Sequence, residues 1–423
     1  WLGHRGAIYG AVEADFIRGR VYEFLEDIDG YPAAKTVNDV MDALKAVAHV
    51  ERNTYSPPCW INEDERAMDY PADEILACQN GLLHLPSGKM IEPTPNFFTR
   101  NGAPFAYDPD APEPTAWFGF LDDLWGHDPE QITLLQEVMG YLLTPDNSQQ
   151  KFFYLKGVRR GGKGTIIGVI RRLLGATSIC SPKLEALGSR FGLEVALGKS
   201  LAIVADMRLP KRADNEGVTS NVLRIVGGDP VDVERKYAGG AWTGVLPLRL
   251  LIATNEDLAL PDHSGAIVAR LIGLHMTVSF EGREDPDLAL RLAPEIPGIL
   301  LWAIEGWRRL RKQGRFTITA ASKSLAEAVS ARASPLESFL EESCVVEKGA
   351  SVPRDAVWLR YQDYCGGLGI PMAYRDMGAF KSALVEASKE RITVFRPGSG
   401  PNRSYHWAGL RLLPLPEEEE EQP

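Results

Sequence analysis

Cysteine and histidine are scarce in this sequence, and neither is grouped. The five cysteines lie far apart with no Cys-x-x-Cys pair, and the seven histidines stand alone. Structural zinc sites need clustered thiolates and imidazoles, and small secreted domains need paired cysteines. The sequence therefore argues against a zinc protein and against a disulfide framework, and it suits a reducing cytoplasm.

Long apolar runs are also missing. No run reaches the roughly 18 residues that a membrane-spanning helix needs. The opening WLGHRGAIYG has no cationic segment followed by an apolar core, so no secretory signal is predicted. We expect a cytoplasmic protein without a membrane partner. Because residues 7–25 already have the pattern of a strand and a helix, we also expect that Trp1 lies within a longer polypeptide.

Positive charge is in deficit: 46 Lys and Arg stand against 57 Asp and Glu, a net charge of -11. This balance alone argues against a general nucleic-acid binder. The charge is uneven, however, because residues 370–412 carry seven basic and three acidic residues, whereas residues 417–421 are all Glu. We expect an acidic disordered tail at residues 413–423 and a local basic surface before it.

Three regions differ in pattern over the 423 residues. Residues 1–145 mix short strands and helices and predict an α+β region that supports the rest of the chain. Residues 146–315 contain three short apolar runs, each followed by a polar or glycine-rich loop. This spacing predicts a mainly parallel sheet covered by helices, with ligands bound beyond the carboxyl ends of the strands. Residues 334–412 predict helices followed by a hairpin with the basic connection PGSGPNRS, the order of a winged-helix domain.

The central region opens with a loop that has the features of a phosphate site. Residues 157–163, GVRRGGK, fit G-x-x-x-x-G-K between an apolar strand and a predicted helix over residues 166–174. Glycines at Gly157, Gly161 and Gly162 let backbone N–H groups face a phosphate chain, and Lys163 adds a mobile positive charge. The loop predicts ATP binding. A glycine-rich surface turn is the alternative for the loop alone.

The residues after the lysine depart from the usual pattern. Gly164 stands where a magnesium-binding Ser or Thr normally follows, and Thr165 comes one place later. Either Thr165 reaches the Mg²⁺ ion or metal binding is altered.

Three further polar residues follow apolar segments downstream. Asp206 ends the run SLAIVA, where an acid could hold magnesium. Asn255 ends LRLLIAT and could orient water or sense the terminal phosphate. Arg270 stands within SGAIVARLIGL, where an unpaired guanidinium is costly unless it faces an anion or another subunit. Taken singly, Asp206 is more typical of a turn residue and Asn255 of a cap or turn residue. A buried structural ion pair is the alternative for Arg270.

Taken in order, these residues and their flanking segments resemble a known family. The sequence is similar to superfamily III helicases of the AAA+ class, in the branch of phage and plasmid primase-helicases related to poxvirus and satellite-phage replication proteins. The resemblance covers most of the chain. It is carried by the segments NGLLHLPSG, QEVMGYLLTPDNSQQKFFYLKG, VLRIVGGDPVDVERKY, LIATNEDLALPD and PEIPGILLWAIEGWRRL.

The resemblance implies an α/β fold: an AAA+ P-loop ATPase core, an α+β collar-like region before it and a winged-helix domain after it. It implies that Lys163 neutralises the β- and γ-phosphates and that Asp206 acts in the Mg²⁺ site. The family usually has Glu or an acidic pair at this position, so the general base stays open. Asn255 corresponds to the sensor. Arg270 corresponds to an arginine finger acting on nucleotide held by the next subunit, which implies a ring, most simply a hexamer.

DNA contacts are expected in DPVDVERKYAGGAWTGVL, residues 229–246, which predicts two strands around a Gly-Gly turn. The resemblance implies that this hairpin projects into the ring's channel. Arg235 and Lys236 could contact phosphates, and Tyr237 or Trp242 could stack on a base. An ordinary solvated hairpin is the alternative.

The predicted function is an ATP-driven replicative helicase that acts on single-stranded and forked DNA. The expected partners are further copies of the chain and a primase domain or primase/polymerase, in a bacterial host carrying the phage or plasmid. One rival is a DNA-loading ring or scaffold of the same fold with weak hydrolysis. Another is a small-molecule P-loop kinase, which needs neither the hairpin nor the winged helix.

Overall fold

The computed structural model describes residues 1–423 except 51–55, 63, 206–214, 237–239, 259, 263, 369–371, 373, 375, 390, 398–403, 415–423 and the side chain of Asp29. The predictions for Asp206, Tyr237 and most of the acidic tail therefore lie outside the described residues. Internal contacts divide the chain into two compact units. The first contains residues 1–256 and 272–322, and the second contains residues 257–271 and 323–423.

The N-terminal part of the first unit is built from short antiparallel strands and helices. Its paired strands are β1 (Leu2–Arg5) with β2 (Ile8–Ala11), β3 (Cys59–Trp60) with β7 (Phe97–Phe98), and the meander β4 (Ile75–Cys78), β5 (Gly81–His84), β6 (Lys89–Ile91). Its helices are α1 (Ala14–Asp29), α2 (Ala34–Val47), α3 (Arg66–Asp69), α4 (Thr115–Trp125) and α5 (Pro129–Tyr141). The segment NGLLHLPSG forms β5 and the turn that leads into β6.

A five-stranded sheet forms the centre of the first unit, in the spatial order β14–β8–β13–β10–β9. Its strands are β8 (Phe152–Gly157), β9 (Ile179–Cys180), β10 (Leu201–Val204), β13 (Arg249–Thr254) and β14 (Leu271–Met276). The pairs β8–β13, β13–β10 and β10–β9 are parallel. The parallel sheet predicted from the three apolar runs is confirmed. Since β13 lies between β8 and β10, the loops after these three strands meet at one edge of the sheet.

Helices cover the sheet because its central strands are apolar on both faces. The helices of this unit after α5 are α6 (Lys163–Leu174), α7 (Asn215–Gly227), α9 (Leu288–Leu292) and α10 (Ile296–Gln313). The strands β11 (Val231–Val233) and β12 (Trp242–Gly244) form a separate hairpin. The fully buried Glu137 of α5 accepts hydrogen bonds from Arg309 and Gln313 of α10 and from the backbone of Thr317. These bonds compensate a buried carboxylate and fix α5 against α10.

The second unit has its own core of Phe339, Tyr361, Phe380 and Trp407. Its elements are α8 (Ala266–Ala269), α12 (Pro335–Ser343), β15 (Cys344–Pro353), α13 (Arg354–Gly367), α14 (Met377–Ala387), β16 (Thr393–Phe395) and β17 (His406–Leu412), and α11 (Ala320–Ala333) carries the chain into it. The sheet order is β15–β17–β16, with antiparallel pairs. The sequence predicted the three helices and the last two strands but not β15.

Candidate functional site

The glycine loop joins the carboxyl end of β8 to the first turn of α6. Gly162 precedes the helix with a φ of 84°, a left-handed conformation that favours glycine. A Cβ added at Gly162 would lie 2.9 Å from the ring of Phe120, and one at Gly157 would lie 2.6 Å from Cβ of Met276. Gly162 is therefore required by both backbone conformation and close packing, and Gly157 by close packing alone.

Lys163 is folded back onto its own loop. Its Nζ donates hydrogen bonds to the backbone carbonyl oxygens of Gly157 and Val158, each at 2.7 Å. Burial lowers the pKa of the Lys163 ammonium from its usual value. Among the residues that the structure describes, Lys163 makes no ion pair with a carboxylate, so its charge is available to an anion at the start of α6.

A cavity of about 670 Å³ opens beside this loop. It is lined by Ala116, Gly119, Phe120, Asp123, Arg160, Gly162, Gly164, Thr165, Phe280, Arg283, Glu284, Asp285, Leu288 and Arg291. Gly164 and Thr165 both face it, and a Cβ added at Gly164 would meet no atom within 4 Å. The size is that of a pocket for a small-molecule ligand, and the helix start forms part of its wall.

Two aromatic side chains, Phe120 and Phe280, line the cavity, and together they are called the aromatic ledge. The rings of Phe120 and Phe280 are stacked with their centroids 6.1 Å apart, and the Arg283 guanidinium lies over Phe280 at 5.1 Å. Phe280 follows β14, and its backbone N donates to the carbonyl oxygen of Arg160 in the glycine loop at 3.0 Å. The ledge is therefore attached directly to the loop, and its flat faces suit a planar ring.

The polar side of the cavity is already partly neutralised. Arg291 pairs with Asp285, and this hydrogen bond lowers the pKa of the Asp285 carboxyl. Arg160 lies 3.6 Å from a carboxylate oxygen of Glu284. These exposed pairs can exchange partners when an anion binds, because surface ion pairs are individually weak.

Sequence reasoning missed Phe120, Phe280 and Arg283. They come from α4 and from the loop after β14, far from the glycine loop in sequence. No motif marks them, and only the tertiary packing of α4 and of the loop after β14 beside the glycine loop brings them together.

Of the other three residues predicted for the nucleotide site, the structure describes Asn255 and Arg270 but not Asp206. Asn255 directly follows β13 and is exposed, and its neighbour Thr254 is paired with Lys156 of β8. Asn255 therefore lies at the same edge of the sheet as the glycine loop. Asp206 follows β10, the strand on the other side of β13, but is outside the described residues. Arg270 belongs to the second unit and directly follows α8 in the sequence. Its side chain is half-buried.

The hairpin predicted at residues 229–246 is present as antiparallel β11 and β12. The Arg235 guanidinium donates to the backbone oxygen of Gly240 at 3.2 Å. Trp242 is half-buried, and its indole packs against Gly244 on its own strand, where an added Cβ would lie 2.9 Å from the ring. The indole of Trp242 therefore packs within the hairpin, and its stacking on a base stays a prediction.

A second element, also missed from the sequence, contacts this hairpin. The ring of Phe191 has the Lys236 ammonium at 5.7 Å and the Arg190 guanidinium at 5.3 Å. Arg190 also pairs with Glu234 at 2.5 Å, and the Lys236 backbone donates to Glu194 at 3.2 Å. An aromatic ring with two cations beside it is an arrangement that can bind a nucleic-acid strand.

The second unit also presents a basic aromatic cluster. The exposed ring of Tyr405 has the Arg396 guanidinium at 3.9 Å and the Arg354 guanidinium at 4.7 Å. Tyr405 and Arg396 flank the connection between β16 and β17. Two cations at one aromatic ring concentrate positive charge at the base of this hairpin.

Two family models match parts of the chain. Residues 24–126 match a family described as "D5 N terminal like", and residues 155–270 match a family of unknown function (DUF5906). The first match supports in part the resemblance to primase-helicases that the sequence indicates. The second spans the glycine loop, β10, β13 and Arg270, and its description assigns no activity. Membership of superfamily III stays a prediction.

Two apo structures of the C-terminal region of NrS-1 are similar to this chain. One has 11% sequence identity and a TM-score of 0.48, covering 90% of this chain and 91% of that chain. Another, of residues 305–718, has 11% identity and a TM-score of 0.45, covering 75% of this chain and 86% of that chain. Values of this size do not establish a common fold.

Within the described residues, no helix has the length and hydropathy needed to span a membrane.

Proposed function

We propose that this chain is the ATP-hydrolysing helicase part of a phage or plasmid primase-helicase, and that it translocates along single-stranded DNA as a ring, most simply a hexamer. The observation that carries the proposal is the glycine loop with Lys163 at the head of α6, open to a cavity of about 670 Å³. The matching "D5 N terminal like" region supports the same conclusion.

The loop fits a nucleoside triphosphate. Backbone N–H groups around Gly161 and Gly162 and the positive end of α6 provide an anion site for the phosphates. With nucleotide bound, Lys163 would leave the carbonyl oxygens of Gly157 and Val158 and would pair with the phosphates. Phe280 and Phe120 would offer their rings to the nucleobase, with Arg283 beside them.

The fit to magnesium is incomplete at Gly164, which has no hydroxyl. Thr165 faces the same cavity and is the residue that would hold the ion, together with Asp206. When bound, Mg²⁺ neutralises charge on the β- and γ-phosphate oxygens. Asp206 and Asn255 follow strands on the same edge of the sheet, so they are the residues proposed to orient the attacking water.

Charge that develops on the γ-phosphate in the transition state requires a further cation. Arg270 is proposed to supply it to nucleotide held by a neighbouring subunit. Within the described part of the chain, Arg270 makes no ion pair that would occupy its guanidinium. This role makes hydrolysis dependent on assembly.

DNA is proposed to contact the hairpin of β11 and β12 together with Arg190 and Phe191. Lys236 and Arg190 would pair with phosphates, and Phe191 would stack on a base. Movement of this hairpin during successive hydrolysis steps would carry one strand through the ring.

The second unit is proposed to bind duplex or forked DNA as a winged-helix domain. Its order of helices and strands, with the strand arrangement β15–β17–β16, suits such a domain. The Arg354, Tyr405 and Arg396 cluster lies at the hairpin that would form the wing, where its charge can meet phosphates.

A DNA-loading ring or scaffold with weak hydrolysis is the second candidate, and Gly164 is the observation that favours it. Steady-state ATP hydrolysis with and without single-stranded DNA separates the two. The helicase proposal requires DNA-stimulated, magnesium-dependent hydrolysis. Binding of DNA by an assembled protein that does not hydrolyse ATP would favour the scaffold.

A further inference from the structure

Arg249 is a buried cation without a carboxylate partner. It begins β13, is 2% exposed, and makes no ion pair among the residues that the structure describes. Within the described part of the chain, its guanidinium donates two long hydrogen bonds, to the carbonyl oxygens of Pro247 at 3.3 Å and Leu142 at 3.4 Å. Its Nε has no hydrogen-bond partner among the same residues. An arginine this buried normally has its donors satisfied by an anion.

The surroundings do not remove the charge. Burial lowers the pKa of the Arg249 guanidinium to about 10, so the group is still cationic at neutral pH. Asp146 favours the charged form electrostatically, but its carboxylate instead accepts a hydrogen bond from the backbone of Ser148 at 2.7 Å. The guanidinium therefore lies in a low-dielectric site with unused donor capacity.

A small cavity of about 30 Å³ lies against this guanidinium. It is lined by Pro58, Ile75, Leu76, Ala77, Thr99, Asn101, Gly102, Leu142, Leu143, Thr144, Pro145, Leu174, Ser178, Ser200 and Arg249. A cavity needs roughly 10–15 Å³ for one water molecule, so this one has room for about two waters or one small ion.

Three polar side-chain atoms of the lining are left unpaired. Thr144 Oγ1, Ser178 Oγ and Asn101 Oδ1 are buried, and none has a hydrogen-bond partner among the residues described. Each hydroxyl can donate a proton, and the Asn101 amide can turn to present its N–H₂ group. The described residues that line the cavity include no Asp or Glu. A positive charge, several donors and no acid make the site unsuitable for a metal cation and suitable for an anion.

We propose that this cavity binds a small monovalent anion, chloride or one of its size, held by Arg249, Thr144 and Ser178. The ion would compensate the buried guanidinium and join three parts of the first unit: the start of β13, the segment after α5 and the segment directly before β9. The site lies at the start of β13, whereas Asn255 and the glycine loop lie at the carboxyl edge of the sheet. The proposal is therefore independent of nucleotide chemistry.

The test measures the midpoint temperature of thermal unfolding of the intact chain. Chloride replaces gluconate, which is too large for the cavity, at constant ionic strength. We expect the midpoint to rise and then saturate, since a ligand that binds only the folded state stabilises it. Arg249→Met should abolish the rise. Arg20→Met, at an exposed arginine, should retain it. Because Arg249→Met could fail to fold, Thr144→Val and Ser178→Ala provide milder variants, which should raise the chloride concentration at half effect.

Crystals grown with bromide give the direct readout. An anomalous peak between Arg249, Thr144 and Ser178 is the expected result. The proposal is overturned if the density at this position scatters as water, or if wild type, Thr144→Val and Arg20→Met respond identically to chloride and gluconate.

Discussion

The ammonium group of Lys163 lies 2.7 Å from the backbone oxygen of Gly157 and donates a hydrogen bond to it. Since the same group also donates to Val158, Lys163 and the loop hold each other in a closed arrangement. A phosphate entering the loop competes for these donors. Phosphate carries full negative charge, so it should displace the neutral carbonyl oxygens.

Lys163→Ala should lose ATP hydrolysis by about 10²–10³-fold or more, the usual effect of removing one group that stabilises transition-state charge. Steady-state phosphate release measures this. Lys199→Ala is the matched control, because Lys199 also donates to a backbone oxygen at 2.7 Å but precedes β10 at the other edge of the sheet. Full activity in Lys163→Ala, with Lys199→Ala unchanged, would remove the loop from the mechanism.

Thr165→Val should raise the Mg²⁺ concentration needed for half-maximal hydrolysis, because Val keeps the shape of Thr and lacks the hydroxyl. Gly164→Ser should be accommodated, since a Cβ there meets no atom within 4 Å. It should lower the magnesium requirement if it restores the usual ligand. Magnesium titrations at fixed ATP test both variants. An unchanged requirement in Thr165→Val would show that Thr165 does not bind the ion.

Phe280→Ala should raise the KM for ATP with little change in kcat, because the ring contacts the base and not the reacting phosphates. Stacking of a base on an aromatic ring contributes about 1–3 kcal/mol, roughly 5- to 150-fold in affinity. Phe280→Tyr should retain most of the binding. An equal fall in kcat for both variants would instead place Phe280 in the support of the glycine loop.

Phe191→Ala and Lys236→Ala should weaken binding of single-stranded DNA in different ways. Loss of Lys236 removes a phosphate contact and should reduce the magnitude of the salt slope by about 1. Loss of Phe191 removes stacking, which should cost about 1–3 kcal/mol with the slope unchanged. Fluorescence anisotropy of labelled oligonucleotides over a series of salt concentrations distinguishes them. If neither variant binds less tightly than Lys199→Ala, the hairpin surface does not contact DNA.

Local sequence predicted the parts of the site that depend on local structure. The spacing of glycines predicted the glycine loop and α6, and the apolar runs predicted the strands β8, β10 and β13. Both signals come from residues that are close together in the sequence. The aromatic ledge could not be predicted in the same way. Phe120 and Phe280 are 160 positions apart, and only tertiary packing stacks them.

Two other features escaped the sequence for similar reasons. β15 contains Glu347, Lys348 and Gly349, which interrupt the alternation of apolar residues, and its pairing shifts register between Val346 and Ser351. The cavity at Arg249 draws its lining from segments throughout the first unit. The sequence of β13 alone gives no sign that its first residue is buried without a carboxylate.

The central claim is that ATP hydrolysis is coupled to DNA and to assembly, and its most direct measurement is ATP turnover with and without single-stranded DNA across a range of protein concentrations. Wild type, Lys163→Ala, Arg270→Ala and an equal mixture of the two variants are compared. The account predicts DNA-stimulated turnover that rises steeply with wild-type concentration, two inactive variants, and partial recovery in the mixture, where an intact Arg270 can face an intact Lys163. The account would be contradicted if ATP turnover were the same with and without DNA. It would also be contradicted if Arg270→Ala kept its turnover in a demonstrably assembled protein.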